Sequence, residues 1–466
     1  MYKKVHCIGI GGIGLSALAR YYLDSGAVVS GSDTADSELL NDLREDGIDI
    51  HIEHCANNVP DDVDLVIYTI AIDKENNEEY IAAEKIQSKF LGGSSPNLGE
   101  VREGVGLKLL SYPQALGELT KDKKTIAVCG THGKTTTTAM AYYAIKEAGI
   151  DVSMIVGSLI DVNGKKTNYV YGNSEYLIIE ACEYCRSFLN YNPTYILVTN
   201  IDTDHMDYYK DMKDIQSAFV EFANRLSSNG TLISHKSESY IFEIEKENSN
   251  LNKDINIINS DMIINHQEIK LKVIGEHNQK NAQLVVALGE TLGLDRNKIL
   301  KGLANFLGTW RRMEYRGYAP NGAIVYDDYA HHPTEIAATL KAIKEHYNSE
   351  AEIKNTKKLV LVFQPHLQSR TYAFYDEFIK ALSLADIVYI LPIYHARIEK
   401  DMGMSNIKMV ASIIDLAKRE NKYKEAYTLD FNNAKNELAK YDKNHIIITM
   451  GAGKNNIIAD QLVAES

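Results

Sequence analysis

A short apolar run, residues 5–8, feeds directly into Gly9-Ile10-Gly11-Gly12-Ile13-Gly14, after which Leu15, Leu18, Ala19 and Tyr22 fall on one helical face. An apolar strand that turns at once into a helix pairs in parallel with others of its kind, because the helix carries the chain back across the sheet. Gly26 is placed to end that helix. Residues 27–30 then read as a second strand running into Gly31-Ser32-Asp33, and residues 64–70 as a third. The pattern restarts twice. Residues 125–129 lead into Gly130-Thr131-His132-Gly133-Lys134-Thr135-Thr136 and a helix through Ala148, and strands at 176–179 and 195–199 follow. Beyond Arg312, strands at 323–326, 358–363, 387–391 and 445–449 alternate with helix-length stretches.

This periodicity predicts an α/β protein of three domains, each built on a mainly parallel sheet. The first (1–118) and third (315–466) are Rossmann-like, the central one (119–314) is P-loop ATPase-like, and the charged run 121–124 reads as a linker. A chain of 466 residues is too long for one ordinary core and suits this division. In open parallel sheets ligands bind beyond the carboxyl ends of the strands. Polar clusters gather there in every segment, which suggests three substrates.

Composition narrows the function. Hydrophobic residues at 45% and charged residues at 24% are ordinary for a folded chain. A net charge of -13 opposes non-specific binding to nucleic acid or anionic membrane. No apolar run is long enough to span a bilayer, and the glycines after the two N-terminal lysines read as strand, turn and helix rather than a leader, so a cytoplasmic protein is expected. The five cysteines are scattered, and Cys182 and Cys185 form a C-x-x-C with no second pair or neighbouring His to complete a zinc site.

Gly9-x-Gly11-x-x-Gly14 with Asp33 fits the dinucleotide fingerprint, the acid standing 19 positions after the last glycine (33 minus 14). It is specific for a nucleotide diphosphate, not for NAD, and a glycine turn without a ligand has the same letters. The run from Gly130 to Thr135 resembles a P-loop, although Val128 stands where the first glycine belongs. It keeps backbone N–H groups at a helix start, a Lys for outer phosphates and a hydroxyl for Mg²⁺. Glu180 and His205 each follow a strand of the same segment and are candidate cation ligands or, equally, loop caps. Asn278 and Asn281 open a helix, where amides can read an adenine edge or cap the helix. Arg311 and Arg312 suit a phosphate clamp or an ion pair. The run Asp327-Asp328-Tyr329-Ala330-His331-His332-Pro333 is densest in functional side chains, but adjacent histidines point to different faces, which argues against a four-ligand metal centre.

Taken together, GIGGIG (9–14), GSD (31–33), GTHGKTTT (130–137), EACEY (180–184), TNIDTDHMD (199–207), GEHNQKNA (275–282), RRM (311–313), DDYAHHPTE (327–335) and FQPHLQSRT (363–371) resemble the Mur ligase family of peptidoglycan biosynthesis, in that family's order along the chain. The resemblance implies an ATP- and Mg²⁺-dependent ligase that joins L-alanine to the carboxylate of UDP-N-acetylmuramate through an acyl phosphate. It implies a UDP-sugar-binding first domain, an ATP-binding central domain and an amino-acid-binding third, in a monomer or homodimer.

By the same resemblance, Gly11, Gly12, Ile13, Gly14, Ser32 and Asp33 bind the UDP-sugar. Gly130, Thr131, His132, Gly133, Lys134, Thr135 and Thr136 hold ATP phosphates, Asn278 and Asn281 adenine, Asp328 the ribose and Arg312 the γ-phosphate. Thr135, Glu180 and His205 ligate Mg²⁺; Lys134, Glu180, His205 and Arg312 form the catalytic set; and Tyr329, His332, His366 and Arg370 receive the amino acid. Two positions depart from the family: Leu367 stands where some members have Arg, and residues 216–219 offer no modifiable lysine. Competing functions are a ligase attaching a recycled peptide to the same UDP-sugar, an NAD-dependent oxidoreductase built on GIGGIG, and a non-catalytic nucleotide-binding subunit.

Overall fold

The computed structural model describes residues 2–91, 106–206, 208–238, 255–265, 268–347, 357–395 and 399–463; Asp207, at the end of the 199–207 run, lies outside the described residues. They contain three sheets. The first has five parallel strands in the order Asp49–Ile52, Val28–Asp33, Lys4–Ile8, Leu65–Tyr68, Lys108–Ser111. Leu65–Tyr68 is LVIY with every residue buried, as an inner parallel strand covered on both faces requires. The strand order reverses on either side of Lys4–Ile8, so the glycine turn leaves the sheet at its switch point. The edge strands Asp49–Ile52 (DIHI) and Lys108–Ser111 (KLLS) were not predicted: they are short and half polar, and carry no apolar run.

The second sheet has seven strands in the order Asn256–Asn259, Thr231–Ser234, Tyr195–Val198, Lys124–Cys129, Tyr176–Glu180, Ser153–Val162, Lys165–Val170. All pair in parallel except the last two, which form an antiparallel hairpin. Lys124–Cys129 sits between Tyr195–Val198 and Tyr176–Glu180, so the loops after these three strands converge at one edge. The predicted linker at 121–124 is corrected. Tyr112–Lys121 is a helix capped by Ser111 and Gln114, the strand begins at Lys124, and only Asp122 and Lys123 lie between. Gly117 of that helix approaches the Asn190 carbonyl so closely that a Cβ would stand 2.3 Å from it, hence a glycine. Both sheets belong to one compact unit, Met1–Asp202, Asp211–Ile264 and Leu284–Gly302.

The other unit comprises Thr203–Lys210, Asn265–Gln283 and Leu303–Ser466. Its sheet runs Glu314–Tyr318, Ile324–Asp328, His445–Met450, Lys358–Phe363, Ile387–Ile390, Glu425–Thr428, parallel apart from the first strand. Two-residue alternation divides its core. Leu359, Leu361 and Phe363 pack with Ile336, Leu340, Phe378 and Ile413 on one face, while Val360 and Val362 pack with Leu438, Ile458 and Leu462 on the other. Among the described residues no helix is long and apolar enough to cross a membrane.

Candidate active site

Three glycines of the first turn have separate reasons. Gly9 is left-handed (φ 80°), with Thr69 filling the place of a Cβ. At Gly11 a Cβ would stand 2.8 Å from Asp33, and at Gly14 it would meet the Tyr112 ring at 2.7 Å. The helix Ile13–Asp24 starts from Gly12 with no side-chain cap, leaving its first N–H groups for an anion. Asp33 accepts the Gly11 N–H (2.8 Å) through Oδ2 and the Thr34 N–H (2.8 Å) through Oδ1. Ser32, predicted to touch a ligand, is instead fully buried: its carbonyl accepts the N–H groups of Gly9 and Ile10, and its hydroxyl donates to Glu79. Glu79 is itself buried and also accepts from Asn58 (2.6 Å), with His6 3.6 Å away. Burial opposes its charge, yet the His6 imidazole beside it and hydrogen bonds from Ser32 and Asn58 hold its pKa down at about 2.

The phosphate loop is pinned from behind. The His132 N–H donates to Asn200 Oδ1 (2.9 Å), the Thr199 hydroxyl to the His132 carbonyl (2.6 Å), and the Thr131 side chain bonds the Asp202 backbone. Gly130 (φ 132°) has room for no Cβ, since Thr199 Oγ1 would lie 2.1 Å away. Gly133, also left-handed, precedes the helix Lys134–Glu147. The Lys134 ammonium donates to the carbonyls of Gly130 (2.6 Å) and Thr131 (3.0 Å) and pairs with Glu183 at 2.9 Å. Burial would lower its pKa, but Glu183 outweighs it and raises it. One residue on, Thr135 Oγ1 donates to Glu180 Oε1 at 3.0 Å, while Glu180 Oε2 accepts the Gly157 N–H at 2.8 Å. Thr136 is buried on the same helix. Thr135 and Glu180 thus meet as predicted from their strand and helix ends; Glu183 was missed, although it lies in the same EACEY run.

In the second unit the dense run resolves into different jobs. Arg311 is buried and fully engaged: Nε on Asp327 (2.7 Å), Nη1 on the Gly453 carbonyl (2.8 Å), Nη2 on Gly451 (2.7 Å) and Asn455 (3.0 Å). Arg312 stays part-exposed, 3.6 Å from Glu335 and over the Tyr329 ring. Asp328, predicted to reach a ribose, is buried and accepts the N–H groups of Met313 (2.9 Å) and Ala330 (2.6 Å). Burial, against the pull of Arg312, raises its pKa to about 6.

His332, predicted to receive a substrate, is instead buried edge-on against Phe374. His331 is the histidine that faces His366 (ring centroids 5.8 Å) and Glu335, and burial lowers its pKa to about 3. Arg370 pairs with buried Asp204 at 3.0 Å, next to His205, whose backbone is left-handed (φ 55°), as it is at Arg311, Met313 and Leu367. Asn278 and Asn281 are both buried one turn apart on Glu276–Thr291, and the Asn278 amide donates to the Ile274 carbonyl (2.7 Å).

A lysine seated on a glycine-rich loop, with a hydroxyl–carboxylate pair beside it, is the arrangement of enzymes that handle nucleotide phosphates; the separate glycine turn opens a second helix with no side-chain cap. Comparison with known proteins narrows the class. Residues 4–94 match the model of the Mur ligase family, catalytic domain, residues 128–289 the Mur ligase middle domain, and residues 311–453 the Mur ligase, glutamate ligase domain. The UDP-N-acetylmuramate--L-alanine ligase of Caldicellulosiruptor saccharolyticus is 34% identical over 100% of this chain and 99% of its own. That of Clostridium perfringens is 36% identical over 97% and 95%. The crystal structure of the UDP-N-acetylmuramate-alanine ligase from Thermotoga maritima superposes with a TM-score of 0.74 at 26% identity, covering 100% of this chain and 99% of that one. A murein peptide ligase from Psychrobacter arcticus shares the fold (TM-score 0.65, 21% identity, 99% and 98% covered). The chain belongs to the Mur ligase family.

Proposed function

We propose that this protein joins L-alanine to the carboxylate of UDP-N-acetylmuramate with ATP, in the cytoplasmic synthesis of peptidoglycan precursors. The substrate pair follows from full-length relatives of one activity. The chemistry is carried by one observation, the Thr135 hydroxyl 3.0 Å from Glu180 on a loop that also bears Lys134.

A carboxylate resists an amine because its charge repels the nucleophile and oxide is a poor leaving group. Attack of a carboxylate oxygen on the γ-phosphorus of ATP, with departure of ADP, removes both obstacles. The neutral amine of alanine then attacks the acyl carbon, and phosphate leaves with the oxygen it gained while the nitrogen loses a proton. Lys134 supplies the cation for the phosphate oxygens, exchanging loop carbonyls for them, and Glu183 keeps it charged before the nucleotide arrives. The oxygens of Thr135 and Glu180 suit a hard cation, so these two residues are the ones to hold Mg²⁺, which when bound neutralises phosphate charge. His205 remains our candidate for a second Mg²⁺ and Arg312 for the γ-phosphate. Asn278 and Asn281 are assigned to adenine, with one N–H of the Asn278 amide held by the Ile274 carbonyl, which fixes the direction of the side chain. Asp328 shapes the loop around Met313 and Ala330 rather than holding a ribose. Tyr329, His366 and Arg370 are assigned to alanine, with His331 in place of His332.

The test is phosphate release from ATP and Mg²⁺ with UDP-N-acetylmuramate, run without amine, with L-alanine and with a tripeptide. Release that needs both the UDP-sugar and alanine is expected; preference for the tripeptide would identify a recycling ligase, and no dependence on either would end the reading.

A further inference from the structure

One hairpin of the second sheet touches both nucleotide edges of the first unit. Its strands, Ser153–Val162 and Lys165–Val170, pair regularly at Ile155↔Tyr169 and again at Ile160↔Thr167, so four residues of one strand oppose Asn168 alone on the other. Gly157 and Asn168 both stand in this irregularity. Bulges of this kind re-aim groups beside active sites. On one side the Gly157 N–H donates to Glu180 Oε2 at 2.8 Å, where a Cβ would stand 2.9 Å from the same oxygen. On the other, Asn168, fully buried, reaches the first turn of the helix that the glycine turn begins. Its amide donates to the Ile13 carbonyl (2.5 Å) and to Ser16 Oγ (2.8 Å), and its carbonyl accepts from Arg20 Nη1 (3.0 Å). Arg20 is fixed in turn by Asp46 at 2.6 Å, and Tyr169 by Asp24 at 2.8 Å. A buried amide with these bonds in place tolerates little displacement, because each broken bond leaves a buried polar group unsatisfied.

We infer that Asn168 is a positioning residue of the ligation: through the bulged hairpin it sets the glycine turn, and the UDP-sugar on it, in register with Glu180 and the phosphate loop. The inference rests on the proposed function and adds the element that aligns its two nucleotides. Each ligand edge lies on its own sheet, so affinity for either substrate does not need the hairpin. The rate does, since a misplacement of about 1 Å can cost a hundredfold.

The test is steady-state kinetics of Asn168→Ala and Asn168→Asp, the latter keeping the acceptor for Arg20 while losing the donor to Ile13 and Ser16, with folded enzyme counted by size exclusion and thermal melting. For both variants kcat per folded molecule should fall roughly tenfold or more, with KM for UDP-N-acetylmuramate and for ATP each within about threefold. An unchanged kcat beside a lowered Tm would make Asn168 merely structural, and a loss carried by KM would make it a binding residue; either result overturns the inference. If Asn168→Ala does not fold, Asn168→Asp decides. Wild-type enzyme that releases no phosphate with all substrates present defeats the functional reading, whereas wild-type turnover alongside unimpaired variants defeats this inference alone.

Discussion

Two buried carboxylates, one in each unit, sit in opposite electrostatic states. Glu79, under the glycine turn, is held at about 2 because the adjacent His6 imidazole and hydrogen bonds from Ser32 and Asn58 overcome burial; Asp328, under the Tyr329 loop, is pushed to about 6 because burial overcomes Arg312 and two backbone N–H donors. The same contrast runs through both regions. Around the phosphate loop, Lys134 pairs with Glu183 and the Thr135 hydroxyl donates to Glu180, so the side chains there bond one another at the loop edge in two adjacent pairs. In the second unit the richer run of acids and bases is largely consumed in holding its own loops, with Arg311 closing Asp327 onto Gly451, Gly453 and Asn455. A dense motif is therefore not the same thing as a dense site: what counts is which side chains the backbone leaves facing outward.

The contrast can be broken at four points. Arg311→Ala should do most damage, destabilising the second unit by about 3–5 kcal/mol because Asp327 is left buried and unpaired. Denaturant unfolding measures it, and a loss below about 1 kcal/mol would return Arg311 to the list of surface ion pairs. Lys134→Ala should lower phosphate release at least about a hundredfold while calorimetry finds UDP-sugar binding within about threefold of wild type. Equal loss of both would make the loop structural.

The remaining two are pH experiments of opposite sign. Glu79 has a folded pKa below its unfolded value, so its stabilisation is present above about pH 4.5 and is lost as pH falls through about 2. The stability gap between wild type and Glu79→Gln should narrow over that range, and the variant should bind the UDP-sugar more weakly at neutral pH. Asp328 has a folded pKa above its unfolded value, so its contribution is present below about 3.8 and declines as pH rises through about 6. Asp328→Asn, which keeps the uncharged shape, should gain on wild type across that window, a change of slope with no collapse. If both variants tilt the same way, the two carboxylates do not differ as described.

Much of this was legible in the sequence because it depends on neighbours in the chain. An apolar run, a glycine turn and a helical face identify the strand–loop–helix units at Gly9 and Gly130, and the strand ending at Glu180 puts that carboxylate at the loop edge. The edge strands Asp49–Ile52, Lys108–Ser111 and Glu425–Thr428 lacked a strong enough pattern, being held by a neighbouring strand more than by burial of their own. The hairpin at Ser153–Val170 was missed for a related reason: its bulge breaks the two-residue alternation that marks a strand. At the site, DDYAHHP announced importance without direction. Only the local backbone turns His331 toward His366 and His332 into Phe374.

The sequence by itself determined the three mainly parallel sheets, the glycine and phosphate loops and the family, since each is written in residues close together along the chain. The tertiary structure alone decided which of two adjacent arginines is a buried bolt, which of two adjacent histidines turns toward His366, that Glu183 accompanies Lys134, and that Asn168 grips a helix about 150 residues earlier. Those outcomes depend on burial and on partners distant in sequence, and no local pattern encodes the energy of leaving a buried polar group unpaired.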